Sequence, residues 1–464
     1  MTRRIAVVGG GTSGLSAAYS LQKRKSAGFP LEFVVYEAGQ QFGGVIRTER
    51  VDGCVIEAGP DSFLTEKPWA ADLCRELGLG DELISSNDAE RRTYMLINGR
   101  LLQIPDGLMF MVPTKLGPTF LSPMFSVRTK ARIVREWLLP PKPKRKEMTV
   151  GEFVERHYGR EMVDRVADPL LAGVYGGSAD QLSVDAVLPR FVQMETKYGS
   201  LGRAMAAAAK NAPASASRSL FTSLKSGMQQ MTSALISRLP KEALRAGVPI
   251  EQVQPESGKW LVIGNGRTEE YDAVVLATPA PIAAGLLTTV PELTRELNAI
   301  SYNSSMTVVF GYEQSVRCTL PPGFGLLVPR TENRKILAAT FVHNKFPYRA
   351  PEERALIRCF VGGTVADEML DQTEADIANI VEKELQSILA INARPVFARV
   401  YKWRKAMAQY TLGHSARVER IMTLAARMPG FALAGNAFGG IGVPDCVRTG
   451  VDAANKILAD VAPS

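Results

Sequence analysis

Apolar and polar positions are unevenly distributed along this chain. "RRIAVVGGGTSGLSAAYSLQKR", residues 3–24, passes from two arginines into an unbroken apolar run, then into glycines, then into apolar residues at helical spacing. This pattern predicts a short strand over Ile5–Val8, a turn over Gly9–Gly14 and a helix over Leu15–Arg24, with a second strand in "LEFVVYE" (Leu31–Glu37). Both strands are continuously apolar rather than alternating, which suits a parallel sheet covered on both faces.

The same kind of segment recurs far downstream. "EYDAVVLATPA" (270–280) runs from a polar lead-in into a buried strand, and "GFALAGNAFGGIGVPDCVRTGVDAANKIL" (430–458) reads as strand, glycine-rich turn and closing amphipathic helix. Three separated pieces of one type imply a single discontinuous nucleotide-binding domain, 1–84, 226–290 and 420–464, interrupted by two insertions. The first insertion, 85–225, is mostly helical in its periodicity. The second, 291–419, has strand patterns in "SMTVVFGYE" (305–313) and "RALIRCFVGG" (354–363) and a helix at about 373–390, so an antiparallel-sheet substrate domain with a covering helix is expected. The expected fold class is therefore α/β, with a Rossmann-type domain, an antiparallel-sheet domain and a helical insertion.

Within the first insertion, 104–141 combines methionines, phenylalanines and leucines, broken by prolines, with Lys130, Arg132 and Arg135. That combination suits either attachment to an anionic bilayer surface or the wall of a substrate channel.

Composition narrows the classes. The 464 residues allow two or three domains and a large buried cofactor; 46% hydrophobic and 22% charged residues are ordinary for a globular protein. No uncharged apolar run approaches the ~18 residues of a membrane span, and the N-terminus lacks the apolar region of a signal peptide, so a cytoplasmic protein is expected. Five scattered cysteines, none in a C-x-x-C pair, and three distant histidines support neither a disulfide framework nor a metal site. The net charge of +8 favours an anionic partner. Its densest cluster, "PPKPKRKEMT" (140–149), is broken by prolines and reads as a solvated linker, so nucleic acid is not expected.

The chemistry begins at Gly9, Gly11 and Gly14, which satisfy G-x-G-x-x-G after a strand and before a helix, with Glu37 at the end of the next strand. Gly9 permits the tight turn, Gly11 lets the backbone approach a pyrophosphate, and Gly14 lets the helix pack against the strand. Glu37 can accept hydrogen bonds from ribose hydroxyls, and the pyrophosphate sits at the helix N-terminus. This much fits NAD and FAD alike. A second glycine pair, Gly43 and Gly44, followed by Arg47 and Thr48, suggests a backbone that continues along the cofactor rather than returning to a third parallel strand.

The fingerprint, Glu37, "GGVIRT" and "LAGNAFGGIGVPD" resemble the FAD-dependent oxidoreductase superfamily that includes amine oxidases, phytoene desaturases and protoporphyrinogen oxidases. "EAGPDSFLTEKP" (57–68), "ADPLLAGVYGGSADQLSVDAVLPRF" (167–191) and "QYTLGHSARV" (409–418) look like the protoporphyrinogen oxidase family, the first most like its bacterial branch acting on coproporphyrinogen III. The similarity runs from Arg4 to about Ile457; Gln41 departs from it, standing where many relatives carry a basic residue.

The resemblance implies non-covalent FAD, contacted by Gly9, Gly10, Gly11, Thr12, Ser13, Gly14, Glu37, Gly44, Val45, Arg47, Gly59, Pro60, Asp61 and Ser62. It places Val253 against the adenine, and Trp403, Gly435, Ile441, Gly442 and Val443 near the flavin. It implies hydride removal from a porphyrinogen, coproporphyrinogen III or protoporphyrinogen IX, until six electrons have gone, with oxygen reoxidising the flavin to give hydrogen peroxide. Hydride transfer demands no side-chain acid or base, so no catalytic residue is assigned. Lys67 and Arg92 fall where the family has substrate-facing cations, and they are the candidates for pinning propionate groups. Aromatics in "TFVHNKFPYRAP" (340–351) are candidates for covering the macrocycle or for core packing. The further partners implied are the membrane surface and the next enzyme of the haem pathway, with a monomer or homodimer as the assembly. An amine oxidase or desaturase is the enzymatic alternative, and a flavin-free GDP-dissociation inhibitor the non-enzymatic one.

Overall fold

The computed structural model describes residues 2–142, 146–210 and 219–461, so part of the basic run at 140–149 lies outside the described residues. Five short parallel strands form the first sheet, in the order Leu244–Ala246, Leu31–Glu37, Arg3–Val8, Ala273–Leu276, Phe431–Leu433. All three predicted segments thus meet in one sheet. Leu244–Ala246 was not anticipated, because three residues with a central arginine carry no strand periodicity.

The opening helix spans Thr12–Ser26, starting three residues before the predicted Leu15. Its first turn is Thr-Ser-Gly, which has no apolar rhythm to announce a helix, yet the glycine turn already holds that backbone in place. The closing helix, Val443–Asp460, packs so tightly on it that a Cβ on Gly450 would lie 2.1 Å from the carbonyl oxygen of Ser13. An antiparallel three-stranded sheet, Gln252–Glu256, Lys259–Gly264 and Arg267–Tyr271, leads into the strand Ala273–Leu276.

The largest sheet has seven strands in the order Phe397–Ala408, Tyr302–Glu313, Arg354–Gly362, Ala338–Phe341, Gly325–Leu327, Thr93–Ile97, Arg100–Gln103. Every neighbouring pair is antiparallel except Gly325–Leu327 with Thr93–Ile97. The helix Glu374–Leu389 covers it through buried Ile377, Val381 and Leu385. Two of its strands come from 93–103, inside the stretch read as a helical insertion. "TYMLINGRLLQIP" reads as one strand in the sequence; the structure breaks it into a hairpin that turns at Asn98-Gly99, both with positive φ.

Those helices include Val127–Trp137, Val150–Tyr158, Asp168–Tyr175 and Pro189–Tyr198. Their core is unusually polar at one point. His157 is buried between carboxylates, with Nδ1 3.3 Å from Glu136 and Nε2 3.1 Å from Glu195. The 104–141 segment divides its apolar residues: Met111, Val112, Met124, Phe125 and Ile133 are core, whereas Leu121, Val127 and Leu138 are 88%, 83% and 78% exposed. Among the described residues no helix is long and apolar enough to cross a membrane.

Candidate functional site

The first glycine turn is built from contacts that no side chain could replace. Gly9 has φ +110°, and a Cβ there would lie 2.6 Å from the Ala277 carbonyl oxygen; one on Gly14 would lie 1.8 Å from that of Gly9. A Cβ on Gly11 would meet only Gly44, at 3.9 Å, so this position faces the cradle. Gly11 caps the opening helix without a side-chain hydrogen bond, and the first turn holds no acidic residue. Its N–H groups and the helix dipole are thus available to an anion.

Glu37 already has two backbone partners. One carboxylate oxygen accepts the Gly10 N–H at 2.7 Å and the other accepts the Gly39 N–H at 2.8 Å. The acid at the strand end therefore also locks the turn. Gly43 donates its N–H to the Gly10 carbonyl at 2.9 Å, laying the second glycine pair, with φ +116° and +60°, over the first. The chain beyond Glu37 joins the same corner: Val248 N–H reaches the Glu37 carbonyl at 3.0 Å, in the segment that leads to Val253. Val253 is buried, opposite Val262 in the three-stranded sheet.

Gly59 packs against Val45 so closely that a Cβ would lie 1.9 Å from the Val45 carbonyl oxygen, and Ala58 N–H bonds the Arg47 carbonyl at 2.9 Å. Trp403, from the seven-stranded sheet, donates Nε1–H to the Ala58 carbonyl at 2.9 Å. These contacts bring 9–14, 43–47, 58–59 and Trp403 into one continuous cradle.

The distant glycine turn is held from outside. Tyr410 Oη accepts the Gly440 N–H at 2.8 Å and donates to the Asn436 carbonyl at 2.7 Å, while His414 Nε2 donates to the Ala437 carbonyl at 3.1 Å. Burial pushes the His414 pKa down to about 4, so the ring is neutral near pH 7. Gly435 N–H bonds Thr449 Oγ1 at 3.2 Å, and Gly442 N–H bonds Asp445 Oδ2 at 3.2 Å. Tyr410 and His414 were missed as site residues although "QYTLGH" had been singled out, since nothing local says that they grip a turn 30 and 23 residues away.

Lys67 lies beside this turn, with Nζ 2.6 Å from the buried carboxylate of Asp445 and its side chain still partly exposed. Arg92 stands apart: it is exposed, with no side-chain hydrogen bond or ion pair to the described residues, its carbonyl accepting the Phe324 N–H just before Thr93–Ile97 and Gly325–Leu327 pair. The 340–351 aromatics are divided, with Phe341 and Phe346 in the core and Tyr348 on the surface. Core packing thus prevails for the two phenylalanines.

Behind Gly59–Ser62 lies a charge cluster that the sequence did not reveal. Lys345 Nζ is 3.0 and 3.2 Å from the two Asp61 oxygens and 3.2 Å from Ser62 Oγ. Arg358 bonds the Gly59 carbonyl and lies 3.5 Å from Asp61. Arg349 pairs with Glu57 at 2.5 Å, which also accepts the Met228 N–H and the Thr48 hydroxyl. Burial alone would raise the Asp61 pKa, but Lys345 and Arg358 hold it well below the carboxylate range.

A glycine cradle at a helix N-terminus, a second glycine loop folded onto it and a third closing it from the chain end define a dinucleotide-dependent flavoprotein. The chain belongs to the flavin containing amine oxidoreductase family, whose sequence pattern matches residues 12–458. It is an oxidoreductase with FAD as cofactor, and the close-packed glycines fit that cofactor's backbone approach. The chain is 32% identical over 466 residues to the coproporphyrinogen III oxidase of Bacillus subtilis, covering 98% of each chain. It is 30% identical to the coproporphyrinogen III oxidase of Propionibacterium freudenreichii, covering 98% of this chain and 90% of that one. A crystal structure from Exiguobacterium sp. 255-15, provisionally assigned as a protoporphyrinogen oxidase, superposes with a TM-score of 0.88 at 29% identity, covering 99% of both chains.

Proposed function

We propose that this chain oxidises a porphyrinogen, coproporphyrinogen III in preference to protoporphyrinogen IX, to the porphyrin in haem biosynthesis, with oxygen as acceptor and hydrogen peroxide as product. The observation that carries this reading is the end-to-end match, at up to 32% identity, to proteins named coproporphyrinogen III oxidase. Bound FAD supplies hydride acceptance and electron return to oxygen. The protein's own residues bind and orient. Gly9–Gly14 and Glu37 hold the dinucleotide, Gly44–Arg47 and Gly59–Ser62 follow it, Val253 meets the adenine, and Trp403 with the Gly435–Val443 turn borders the flavin.

Lys67 is fixed at the turn by Asp445 yet keeps an exposed face, so its ammonium can bond a substrate carboxylate. Coproporphyrinogen carries more carboxylates than protoporphyrinogen, and a second cation at Arg92 would favour it. Aerobic turnover of each purified porphyrinogen, read by porphyrin fluorescence and peroxide, tests the proposal. Acceleration of coproporphyrinogen oxidation at least several-fold above protoporphyrinogen is expected; no acceleration of either overturns it.

An amine oxidase with flavin attached through a cysteine is disfavoured at Cys446, the nearest candidate, where burial pushes the thiol up to about 11 and suppresses the nucleophilic thiolate. Acid precipitation should therefore release the flavin intact.

The exposed Leu121, Val127 and Leu138 beside Arg128 and Lys130 support attachment to an anionic bilayer surface. Co-sedimentation with phosphatidylglycerol vesicles, but not with phosphatidylcholine vesicles, is the expected result.

A further inference from the structure

The five charges behind Gly59–Ser62, four of them buried and Asp61 nearly so, do not balance. Glu57 and Asp61 face Lys345, Arg349 and Arg358, and the three cations are 8%, 1% and 4% exposed. Asp61 is the acid that acts on Lys345, and Asp61 and Glu57, with the Tyr401 phenol after them, are the acids that act on Arg358. Both arginines also keep a buried Nε–H without a partner. A void of about 10 Å³ bounded by Glu57, Asp61, Arg349 and Arg358 has room for at most one water, so no counter-anion fits within the cluster. An uncompensated buried cation is expensive unless negative charge arrives nearby.

One layer separates the cluster from the cofactor cradle. Arg358 holds the Gly59 carbonyl, Lys345 holds Asp61 and Ser62, and Gly59 rests on Val45, next to Gly44 and Gly11. The Lys345 ammonium is fixed in place by the rings of Phe221 and Phe346, 4.6 and 5.1 Å away, so its charge cannot swing out to solvent.

We infer that Lys345, Arg349 and Arg358 are positioning residues whose one excess positive charge, set against Asp61 and Glu57, tunes the bound flavin toward reduction. The inference rests on the proposed contact of Gly59–Ser62 with FAD and on the proposed place of Trp403 at the flavin, where its indole N–H holds the Ala58 carbonyl next to that segment. Accepting a hydride adds one negative charge to the cofactor, and a fixed cation behind its contact segment favours that charge without any proton moving.

The test measures the flavin's midpoint potential and its affinity for sulfite, which also leaves negative charge on the flavin, in FAD-loaded protein. Lys345→Met balances the cluster and is expected to lower the potential and weaken sulfite binding roughly tenfold, the order for one unit charge about a dozen ångströms away at an effective dielectric near 20. Asp61→Asn is expected to do the opposite, the double variant to return toward the starting values, and Lys345→Arg to leave both readings unchanged. A purely structural role would move Lys345→Met and Asp61→Asn in the same direction. Parallel shifts, or none, in folded FAD-bound variants overturn the inference. Should Lys345→Met fail to fold, Asp61→Asn against Lys345→Arg decides it by the same criterion. Failure of the unaltered chain to take up FAD overturns the flavin contact itself, whereas FAD uptake without divergent shifts overturns only the electrostatic role.

Discussion

Gly14 has no room for a methyl group, because the Gly9 carbonyl stands 1.8 Å from where the Cβ would be. Gly14→Ala is therefore expected to lose bound flavin, read as the flavin-to-protein absorbance ratio. Gly285, exposed in the helix Ala280–Leu286 with nothing within 4 Å, provides the contrast. Gly285→Ala should keep its flavin and gain about 0.5–1 kcal/mol by lowering the entropy of the unfolded chain. Arg92→Ala, losing an unpaired cation, should raise KM for coproporphyrinogen about tenfold with kcat little changed, the size of one charge-assisted hydrogen bond. An unaltered KM would remove Arg92 from the substrate site. At this scale the glycines and Glu37 were legible because their task is local backbone geometry. Asp61 was singled out by resemblance, but its partners were not: Lys345 lies 284 positions away, and Arg349 lies 292 from Glu57. No local pattern marks a residue whose partner is that distant.

Among elements, the closing glycine turn depends on the start of a helix that is remote in sequence. Tyr410 precedes the helix His414–Ala426, and its hydroxyl both accepts from Gly440 and donates to Asn436. Tyr410→Phe keeps the ring stacked on His414, 3.9 Å between centroids, while stripping two backbone groups of their partner. Destabilisation of about 1–3 kcal/mol in denaturant unfolding is expected, together with weaker FAD binding. Unchanged FAD affinity would show that the turn holds its shape unaided. Element by element, segments with strong patterns were readable: the strand Leu31–Glu37 matched its predicted bounds, and the helix Glu374–Leu389 lay within its range. The hairpin at 93–103 was not assigned to its sheet, since its parallel neighbour Gly325–Leu327 lies more than two hundred residues on.

For the molecule as a whole, three histidines govern how stability changes with pH near neutrality. Burial pushes His343 and His414 down to about 4, so the unfolded chain binds their protons more readily than the folded one. Stability must then fall as pH drops from 6.5 toward 4. His157 behaves oppositely: burial opposes its charge, but hydrogen bonds to Glu136 and Glu195 and their charges prevail and raise its pKa above 6.5. Its contribution is complete below 6.5 and is lost as pH rises through the folded value. Denaturant unfolding at saturating FAD should therefore show a stability maximum close to pH 6.5, and His157→Gln should flatten the alkaline limb. An alkaline limb unaffected by that substitution would contradict the assignment.

The nucleotide sheet takes its strands from both ends of the chain, with Phe431–Leu433 beside Ala273–Leu276 and the closing helix against the opening one. During synthesis, its N-terminal strands therefore emerge long before the pieces that cover them. At about 5–20 residues per second, the half-built cofactor domain would wait tens of seconds with an apolar edge exposed. Cofactor capture must await the emergence of Phe431–Leu433 and the closing helix, and chaperone demand peaks before it. Ribosome-stalled chains ending at residue 425 should retain no FAD, and the same chains extended through Asp460 and a linker long enough to clear the ribosome should acquire it.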